Sequence, residues 1–396
     1  MNLTTGFPFW TVRDGLICVY PPLLQSVHCD ALIVGGGISG ALLAYELVKR
    51  GVDCVMIDRR DIGYGSTSAS TALLQYEIDT PLHELKRALG EKAAERAYLL
   101  GVGAIHQLEK LAGSTCGFAI RPSLQIASSA SHITGLKKEL EARRKIGLAV
   151  SWMDQSELAQ RGIKAAGGLR STIAAEVDPY RLTHRLLRLS QRRGLQVFDR
   201  TAAVSYQQTR GGVTVKTDRG AGIRCKRVFF ATGYETQQFL PQKIMTLKST
   251  YAFVSEPIGD LSWWRDRALI WETGTPYLYM RTTSDNRVLV GGEDDGVLNG
   301  HKRDQQLSSK TARLMSKFGR RFSGKEIEPA FQWAGAFGST KDGLAYIGPH
   351  PAFPQGYFAL GFGGNGITFS QIAAKLLADL FLGHTNPDAE IFSFDR

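Results

Sequence analysis

The spacing of apolar and polar residues predicts strand–loop–helix units at both ends of the chain, with a β-rich block between them. Apolar runs at 31–34 and 54–57 flank an amphipathic stretch over 41–49, which predicts a strand, a helix and a second strand. Residues 249–293 are rich in short alternating segments typical of half-buried strands. A long apolar helix is predicted over 367–382. The pattern favours an α/β fold in which a β-rich segment is inserted into a ligand-binding unit.

Three glycines in GxGxxG spacing separate the first predicted strand from the first helix. Gly35 permits a tight turn, Gly37 lets backbone N–H groups approach a pyrophosphate, and Gly40 lets the helix pack on the strand. The helix N-terminus presents its positive dipole end to the phosphates. The second strand ends on Asp58, whose carboxylate can accept both ribose hydroxyls. This arrangement predicts a site for the ADP half of a dinucleotide.

Distant segments are predicted to return to the same cofactor. A loop rich in small and hydroxyl side chains spans 63–71, and a buried strand ends in a tight turn at 230–233. A glycine-rich loop over 361–366 precedes the last helix, whose N-terminus would point at a ligand. A helix dipole aimed at a flavin ring stabilises negative charge on the reduced ring. Tyr76 and Glu77 follow the hydroxyl-rich loop, and packing at a helix start is preferred for them over contact with a flavin.

Composition is ordinary for a globular protein and argues against several classes of protein. The 396 residues favour two domains, and 43% are hydrophobic and 21% charged. Five cysteines without paired spacing favour reduced thiols in the cytoplasm and argue against a disulfide frame or a zinc site. The eight histidines form no ligand pair, so no metal is expected. No secretory pattern and no apolar run suited to a membrane span are found.

The formal net charge of +11 has two interpretations. The basic residues are spread out, with short clusters at 143–145, 192–193 and 317–321, and solvated helix faces explain them most simply. Attraction to an anionic substrate, nucleic acid or lipid surface is the alternative. No basic segment is interleaved with aromatic residues, so a nucleic-acid partner is not favoured.

Taken together, these motifs make the chain similar to the glycine oxidase and D-amino acid oxidase superfamily of FAD-dependent oxidoreductases. The matching segments are 35–40, Asp58, 65–71, 177–180, 231–233, 341–343, 346–348 and 361–366. The similarity extends over roughly residues 30–385. The N-terminal arm with Trp10, together with Asp58, also resembles the γ-glutamylputrescine oxidase-like branch.

This resemblance implies a discontinuous FAD-binding Rossmann-like domain of the glutathione-reductase type, with an inserted β-rich substrate domain of the D-amino acid oxidase type. The expected division is an arm over 1–29 that packs in extended form, an FAD-binding domain over 30–116, 150–245 and 338–396, and a substrate-binding domain over 117–149 and 246–337.

The resemblance also implies the chemistry. FAD would be bound noncovalently, hydride would pass from a carbon next to an amine nitrogen to flavin N5, the imine would hydrolyse, and oxygen would reoxidise the flavin. The residues expected to hold FAD are Gly35, Gly37, Ile38, Ser39, Gly40, Asp58, Arg59, Arg60, Ser66, Thr67, Ser70, Thr71, Val204, Ala231, Thr232, Gly233, Asp342, Gly343, Gly363, Gly364, Asn365, Gly366, Ile367 and Thr368.

The sequence departs from related chains at three points. Phe337 stands where glycine oxidase-like chains have an arginine for the substrate carboxylate, which weakens the case for a simple α-amino acid substrate. Leu289 stands where sarcosine oxidase-like chains have a lysine that assists oxygen, so a dehydrogenase with another acceptor is also open. No cysteine follows Cys225, so the covalent attachment seen in some relatives is not expected.

Four residues, Tyr279, Arg281, Trp333 and Lys341, are candidates for catalysis or substrate binding, and each has a structural alternative. Tyr277, Tyr279 and Arg281 share one face of a predicted strand, where a guanidinium between phenols would bind a carboxylate. The alternative is the wet face of a half-buried sheet. Trp333 would form a pocket wall or belong to the core. Lys341 would lie near the flavin or serve as a turn residue.

The leading hypothesis is an FAD-dependent amine or amino acid oxidoreductase. One alternative is an FAD-dependent dehydrogenase of a 2-hydroxy acid or polyol phosphate. Another is a non-catalytic flavoprotein that uses its positive charge to bind an anionic partner such as RNA.

Overall fold

Two β-sheets with helices packed on them form the protein. The computed structural model describes residues 2–396. In chain order the strands are β1 (Thr4–Gly6), β2 (Val27–Val34), β3 (Cys54–Ile57), β4 (Leu73–Gln75), β5 (Ala119–Ile126), β6 (Val150–Asp154), β7 (Gly167–Glu176), β8 (Gln196–Phe198), β9 (Ala203–Thr209), β10 (Gly212–Thr217), β11 (Gly222–Phe230), β12 (Thr246–Ser255), β13 (Leu269–Glu272), β14 (Leu278–Thr282), β15 (Val288–Asp295), β16 (Pro329–Ser339), β17 (Tyr346–His350) and β18 (Phe353–Leu360).

The helices follow the same order. They are α1 (Phe9–Asp14), α2 (Ile38–Lys49), α3 (Ser66–Ala69), α4 (Leu82–Leu89), α5 (Glu91–Ala112), α6 (Ile133–Lys145), α7 (Gln155–Ala159), α8 (Pro179–Gln191), α9 (Gly300–Arg321) and α10 (Gly366–Phe381). Short 3₁₀ helices lie at Ala130–His132, Gly233–Phe239, Arg265–Arg267, Gly363–Asn365 and Pro387–Phe392.

The eight-stranded sheet carries the predicted nucleotide unit. Its strand order is β17–β18–β11–β2–β3–β8, and β10 joins it through β11 and carries β9. The strands from β18 to β8 run parallel, which requires crossover connections such as α2. Every residue of β3 is buried, as expected for a strand covered on both faces. Helices α2, α8 and α10 pack together beside this sheet and contribute to one apolar core.

The ten-stranded sheet forms the second layer. Its order is β1–β16–β12–β15–β14–β13–β5–β7–β4, and β6 pairs with β7. Helix α9 packs against β12, β15 and β16, where Leu314 and Phe318 enter a separate apolar core. The fold thus has a mostly parallel sheet and a mostly antiparallel sheet, in agreement with the fold class that the sequence predicts.

One part of the predicted domain division differs from the strand pairing. Residues 73–75, 150–154 and 167–176 were grouped with the FAD-binding domain. However, β4, β6 and β7 belong to the ten-stranded sheet, in which β7 pairs with β4, β6 and, over a long separation, β5. Local periodicity identifies a strand but not its partner, and this partner lies about 50 residues away along the chain. The other domain boundaries stay predictions.

The N-terminal arm was expected to pack in extended form, but only part of it is extended. Strand β1 pairs with β16 at the edge of the ten-stranded sheet, and the arm then forms helix α1. Phe9 and Trp10 are buried on this helix, and Trp10 Nε1 donates to the carbonyl oxygen of Ser70 at 2.7 Å. A six-residue helix is not stable by itself, so tertiary packing of these two rings stabilises it. The arm therefore anchors the hydroxyl-rich loop.

A buried carboxylate, Glu139, pairs with Arg143 within α6 and joins this helix to the start of α4. Glu139 accepts hydrogen bonds from the backbone N–H groups of Leu82 at 2.9 Å and His83 at 3.1 Å, and from Arg143 Nε at 2.7 Å. Burial by itself raises the pKa of Glu139, but the Arg143 charge and these hydrogen bonds lower it to about 2. The carboxylate is therefore held ionised in the interior.

Replacing Glu139 with glutamine is expected to lower the free energy of unfolding at pH 7 by about 3 kcal/mol, because Arg143 then loses the nearer of its two buried acidic partners and keeps only Glu77 at 3.6 Å. A depressed pKa contributes stability above the unfolded-state value of 4.5, and that contribution is lost as the pH falls towards 2. The difference between the variant and the parent protein should therefore shrink in acid. Urea denaturation at pH 7 and pH 3.5 measures this, with the exposed Glu141→Gln on the same helix as the control. Equal losses for the two variants, or a loss independent of pH, would contradict it.

Candidate functional site

A cavity of about 380 Å³ is lined by residues from both sheets. The eight-stranded sheet contributes the carboxyl ends of its central strands, including Val34 and Ala231. The hydroxyl-rich loop and the glycine-rich loop before α10 contribute further residues, and the ten-stranded sheet supplies a wall that contains Tyr279 and Trp333. Ligands of open parallel sheets bind at the carboxyl ends of the strands, so the cavity is at the expected place.

The glycine turn at 35–40 has the geometry that a dinucleotide requires. Gly35 has φ +113°, and a Cβ atom built on it would lie 2.4 Å from the carbonyl oxygen of Ala231. A Cβ atom on Gly40 would lie 1.9 Å from the carbonyl oxygen of Gly35, so α2 can approach β2 only with glycine at this position. Gly37 lies at the start of α2 and lines the cavity. The turn therefore presents backbone, without side chains, to a ligand.

Asp58 is oriented by the backbone around it. Its Oδ2 atom accepts a hydrogen bond from the N–H of Gly36 at 2.7 Å, and its Oδ1 atom accepts one from the N–H of Arg60 at 2.8 Å. Burial raises the pKa of Asp58, while these hydrogen bonds and the Arg60 charge oppose the rise. A carboxylate has about four acceptor positions, so Asp58 can still accept the hydroxyl groups of a ribose. Arg59 and Arg60 next to it pair with Glu235.

The hydroxyl-rich loop and the N-terminus of α10 supply polar groups to the middle of the cavity. The N–H of Ile38 donates to Thr67 Oγ1 at 2.9 Å, which joins the loop to the start of α2. Ser66 Oγ lines the cavity, is buried and has no hydrogen-bond partner in the protein, so a ligand is needed to satisfy it. Asn365 Nδ2 donates to the carbonyl oxygens of Gln75 at 3.1 Å and Glu77 at 2.8 Å, which holds the start of α10 in place. The polar groups of the hydroxyl-rich loop and of the α10 N-terminus, together with the glycine turn that presents only backbone, fit an FAD molecule.

Most residues that the sequence assigned to FAD line this cavity. They are Gly35, Gly37, Ile38, Ser39, Asp58, Arg59, Arg60, Ser66, Thr67, Ser70, Thr71, Ala231, Thr232, Gly233, Gly363, Gly364, Asn365, Gly366 and Ile367. Their individual contacts with FAD stay predictions.

Five of the assigned residues lie outside the cavity lining. Gly40 acts through the packing of α2, and Val204 on β9 is 61% exposed to solvent. Asp342 pairs with Arg396 at 2.7 Å and so ties down the C-terminus, and Gly343 lies in the same turn. Thr368 Oγ1 donates to the carbonyl oxygen of Gln75 at 3.2 Å. These five residues therefore lie outside the cavity lining, and their direct contact with FAD stays a prediction.

Two of the four candidate catalytic residues line the cavity. The Tyr279 hydroxyl lies 2.9 Å from Thr250 Oγ1, and the ring forms part of the wall from β14. Trp333 also lines the cavity, and its Nε1 atom donates to the carbonyl oxygen of Ala69 at 2.9 Å. The same ring belongs to a buried cluster with Trp10 and Leu289, so both interpretations of Trp333 apply.

Arg281 does not reach the cavity, contrary to the expectation that it binds a substrate carboxylate. Its side chain is 2% exposed, and its Nε atom donates to the carbonyl oxygen of Thr71 at 2.7 Å. The remaining donors bind the carbonyl oxygens of Val177 at 3.1 Å and Thr282 at 3.2 Å, and Glu176 lies at 3.4 Å. The guanidinium also lies over the ring of Trp10. Arg281 thus joins the arm, the hydroxyl-rich loop and β7 behind the cavity wall.

Lys341 is exposed and does not line the cavity, so the turn-residue interpretation describes its position. Phe337 and Leu289, the two apolar residues at positions where related chains have a basic residue, have different surroundings. Phe337 lines the cavity, where it presents a ring and not a charged group to a substrate. Leu289 is fully buried in the cluster around Trp333.

A further group of polar and aromatic residues, which no motif in the sequence indicates, lines the cavity together with Tyr277 and Tyr279. We call this group, together with those two tyrosines, the aromatic–acidic pocket, and its further members are Asp79, Tyr234, Thr250 and Asp294. Asp79 Oδ2 accepts from the N–H of Gly364 at 3.0 Å. The alternation along β15 places acidic residues at its end, but Asp294 and Asp295 are adjacent, and pattern alone does not decide which one faces the cavity.

The pocket perturbs the ionisation of its own members. Burial raises the pKa of Asp294 to about 6, and the Asp79 charge adds to the rise, whereas Thr250 and Lys248 oppose it. Burial also raises the pKa of Asp79 and of Tyr279. A carboxyl group that titrates near neutral pH inside a cavity is a frequent feature of binding and catalytic sites.

Comparison with known proteins identifies the class. Residues 30–380 match the DAO family, described as FAD dependent oxidoreductase, and the chain belongs to this family of enzymes. It is 26% identical to glycine oxidase of Bacillus licheniformis over 367 residues, which cover 90% of this chain and 93% of that protein. It is 24% identical to gamma-glutamylputrescine oxidoreductase of Escherichia coli (strain K12), with 94% and 87% covered.

The fold is shared with solved structures of the family. The crystal structure of glycine oxidase from Geobacillus kaustophilus superposes with a TM-score of 0.77 at 20% identity, covering 93% of this chain and 99% of that one. The predicted family, fold class and FAD cofactor are confirmed. Within residues 2–396, no helix is long and apolar enough to cross a membrane, and no group of three or more potential metal ligands is found.

Proposed function

We propose that the protein oxidises the carbon–nitrogen bond of an amine or amino acid, and that oxygen or another compound then takes the electrons from FAD. One observation carries the proposal: a single cavity joins the nucleotide-binding turn at Gly37 and Asp58 to an aromatic wall that contains Tyr279. The names of the glycine oxidase and gamma-glutamylputrescine oxidoreductase relatives point to such substrates.

Residues at one end of the cavity bind the cofactor, and residues at the other end position the substrate. Asp58 and the backbone of the glycine turn hold the ADP portion, and the N-terminus of α10 favours negative charge at the ring end. When bound, FAD supplies a ring that accepts a hydride from the carbon next to the substrate nitrogen. Trp333 and Phe337 wall off the ring end from solvent, and Tyr279 with Thr250 orients the substrate. Water then hydrolyses the imine product to a carbonyl compound and an amine or ammonia.

Two finer features belong to this proposal. Noncovalent attachment of FAD is supported because no cysteine lines the cavity among the described residues. A cytoplasmic location is supported by the five cysteines, all of which are free thiols. The identity of the electron acceptor depends on whether the apolar Leu289 slows the reaction with oxygen.

An anaerobic absorbance titration tests the proposed function. The purified protein, supplied with FAD, is expected to show flavin bands that bleach with an amine or an amino acid and return when air is admitted. Recovery only with an artificial acceptor would define a dehydrogenase. Bleaching by 2-hydroxy acids or polyol phosphates but not by amines would contradict the proposal, and a protein that never binds FAD would remove its basis.

A further inference from the structure

The aromatic–acidic pocket contains two carboxylates, Asp79 and Asp294, together with phenol rings. Asp79 and Asp294 each affect the ionisation of Tyr277, and Asp79 contributes to the raised pKa of Asp294, so the three side chains lie close together. Tyr279 is influenced by Asp294, and Tyr234 by Asp79. Phenol rings with adjacent carboxylates attract cations, because the negative ring faces and the carboxylates act in the same direction.

Two carboxylate oxygens of the cavity wall have no partner in the protein. Oδ1 of Asp294 is buried and makes no hydrogen bond. Oε2 of Glu77, on a residue only 4% exposed, is also unpartnered, while the other Glu77 oxygen lies 3.6 Å from Arg143 Nη1. Both residues line the cavity. A buried carboxylate oxygen without a donor is costly, and a ligand N–H group would remove that cost.

Basic side chains are scarce where these acids lie. Among the described residues that line the cavity, only Arg59 and Arg60 carry a permanent positive charge, and both lie beside Asp58 and Glu235 at the nucleotide end. Arg281 lies behind the cavity wall, where it donates hydrogen bonds to the carbonyl oxygens of Thr71 and Val177. Lys248 is near enough to oppose the raised pKa of Asp79 and Asp294 but forms no ion pair with either. A substrate carboxylate in this pocket would therefore be repelled by Asp79 and Asp294 and attracted only by Lys248.

We propose that the aromatic–acidic pocket selects an amine substrate that carries a second, cationic nitrogen and no carboxylate, with Asp294 and Asp79 as the anionic ligands of that cation. The nitrogen next to the carbon that is oxidised is uncharged. The proposal rests on the proposed function and narrows its substrate class. Alkylamines, like lysine side chains, are protonated near neutral pH. The ammonium N–H groups bind the Asp294 oxygen, the phenol rings of Tyr277 and Tyr279 cover the remaining faces of the cation, and Phe337 contacts the apolar chain.

Three probes of matched length test this selection by anaerobic flavin reduction. 1,4-Diaminobutane, pentylamine and 4-aminobutyrate differ in the group at their far end, which is an ammonium, a methyl group or a carboxylate. We expect the second-order rate of flavin reduction to fall in that order, by about 100-fold or more from the diamine to the amino acid, because like charges placed together cost several kcal/mol. Faster reduction by 4-aminobutyrate or glycine than by the two amines would overturn the proposal while the proposed function stands. If no amine or amino acid reduced a flavin that dithionite bleaches, the proposed function itself would fail.

The variant Asp294→Asn tests the ligand directly. It is nearly isosteric, and we expect it to raise KM for 1,4-diaminobutane at least about tenfold with a smaller change in kcat, while the rate with 4-aminobutyrate does not fall. Asp304→Asn, an exposed acid on α9, makes the same change in net charge and is expected to leave both parameters unchanged. Equal effects of the two variants would overturn the role of Asp294. Lys248→Met is the opposite test, since selective loss of 4-aminobutyrate oxidation would assign the pocket to carboxylates.

Binding without turnover gives a second readout. Tetramethylammonium has no nitrogen lone pair to oxidise, so its effect on the oxidised flavin spectrum reports binding alone. We expect saturable binding of tetramethylammonium that strengthens as the pH rises through about 6, where Asp294 ionises, and that is weakened in Asp294→Asn. Several charged and titratable groups act on Asp294. They are Asp79 from the loop before α4, Lys248 on β12, Tyr277 directly before β14, Tyr279 on β14 and Lys310 on α9. Tighter binding of acetate than of tetramethylammonium, or a pH profile unchanged in the variant, would overturn the proposal.

Discussion

Replacing Arg281 with alanine is expected to lower the free energy of unfolding by about 3–5 kcal/mol, as does removal of one partner from other buried ion pairs. The guanidinium is buried with Glu176, and the substitution also leaves the carbonyl oxygens of Thr71, Val177 and Thr282 without its donors. Glu176 keeps Arg121 at 2.8 Å, so part of its charge stays compensated. Urea denaturation of the FAD-loaded protein measures the loss.

The control for this variant is Arg265→Ala, which removes an exposed arginine from the 3₁₀ helix before β13 and is expected to change the stability by less than about 0.5 kcal/mol. The contrasting expectation, drawn from the strand pattern alone, is a raised KM for carboxylate substrates with little effect on kcat. If Arg281→Ala were as stable as the parent protein and showed that kinetic change, its assignment as a structural residue would be wrong.

Replacing Asp58 with alanine is expected to weaken FAD binding by about 10- to 10,000-fold. Each hydrogen bond between a charged group and a hydroxyl contributes about 1.5–3 kcal/mol, and the ribose would lose up to two of them. The N–H groups of Gly36 and Arg60 would also lose their acceptor, so the glycine turn itself would be less ordered. Titration of the apoprotein with FAD, followed by quenching of flavin fluorescence, gives the dissociation constant.

Asp61→Ala is the matched control for Asp58, because Asp61 lies three residues further on, is partly exposed and has Arg200 at 3.8 Å. It is expected to leave the FAD dissociation constant within about twofold, as surface substitutions usually do. Similar affinities for the two variants would show that Asp58 is not the ribose ligand.

The sequence was sufficient for the nucleotide end of the site because every determinant there is local. The turn at Gly35, the helix that follows it and the acid at Asp58 lie within about 25 residues, and each is set by backbone conformation and strand periodicity. Parallel strands covered on both faces leave continuous apolar runs, which identify β2 and β3 directly.

The substrate end depends on pairings that the sequence does not encode locally. Strand alternation correctly groups Tyr279 with Arg281, but the arm helix with Trp10 covers the second residue and leaves the first open to the cavity. Between Ser249 and Tyr251 the pairing of β12 with β15 shifts register. A bulge of this kind re-aims the facing side chains, so whether Asp294 or Asp295 enters the cavity is decided by a partner strand about 40 residues away.

The order of strands in the eight-stranded sheet also determines when the protein can acquire its cofactor. Strand β2 is made early in synthesis, but its neighbour β11 begins at residue 222, and β18 and α10 complete the sheet and the cavity only after residue 353. These are contacts of long sequence separation, which form slowly and late. The glycine turn can therefore form before its opposite wall, so tight retention of FAD requires that β18 and α10 have folded.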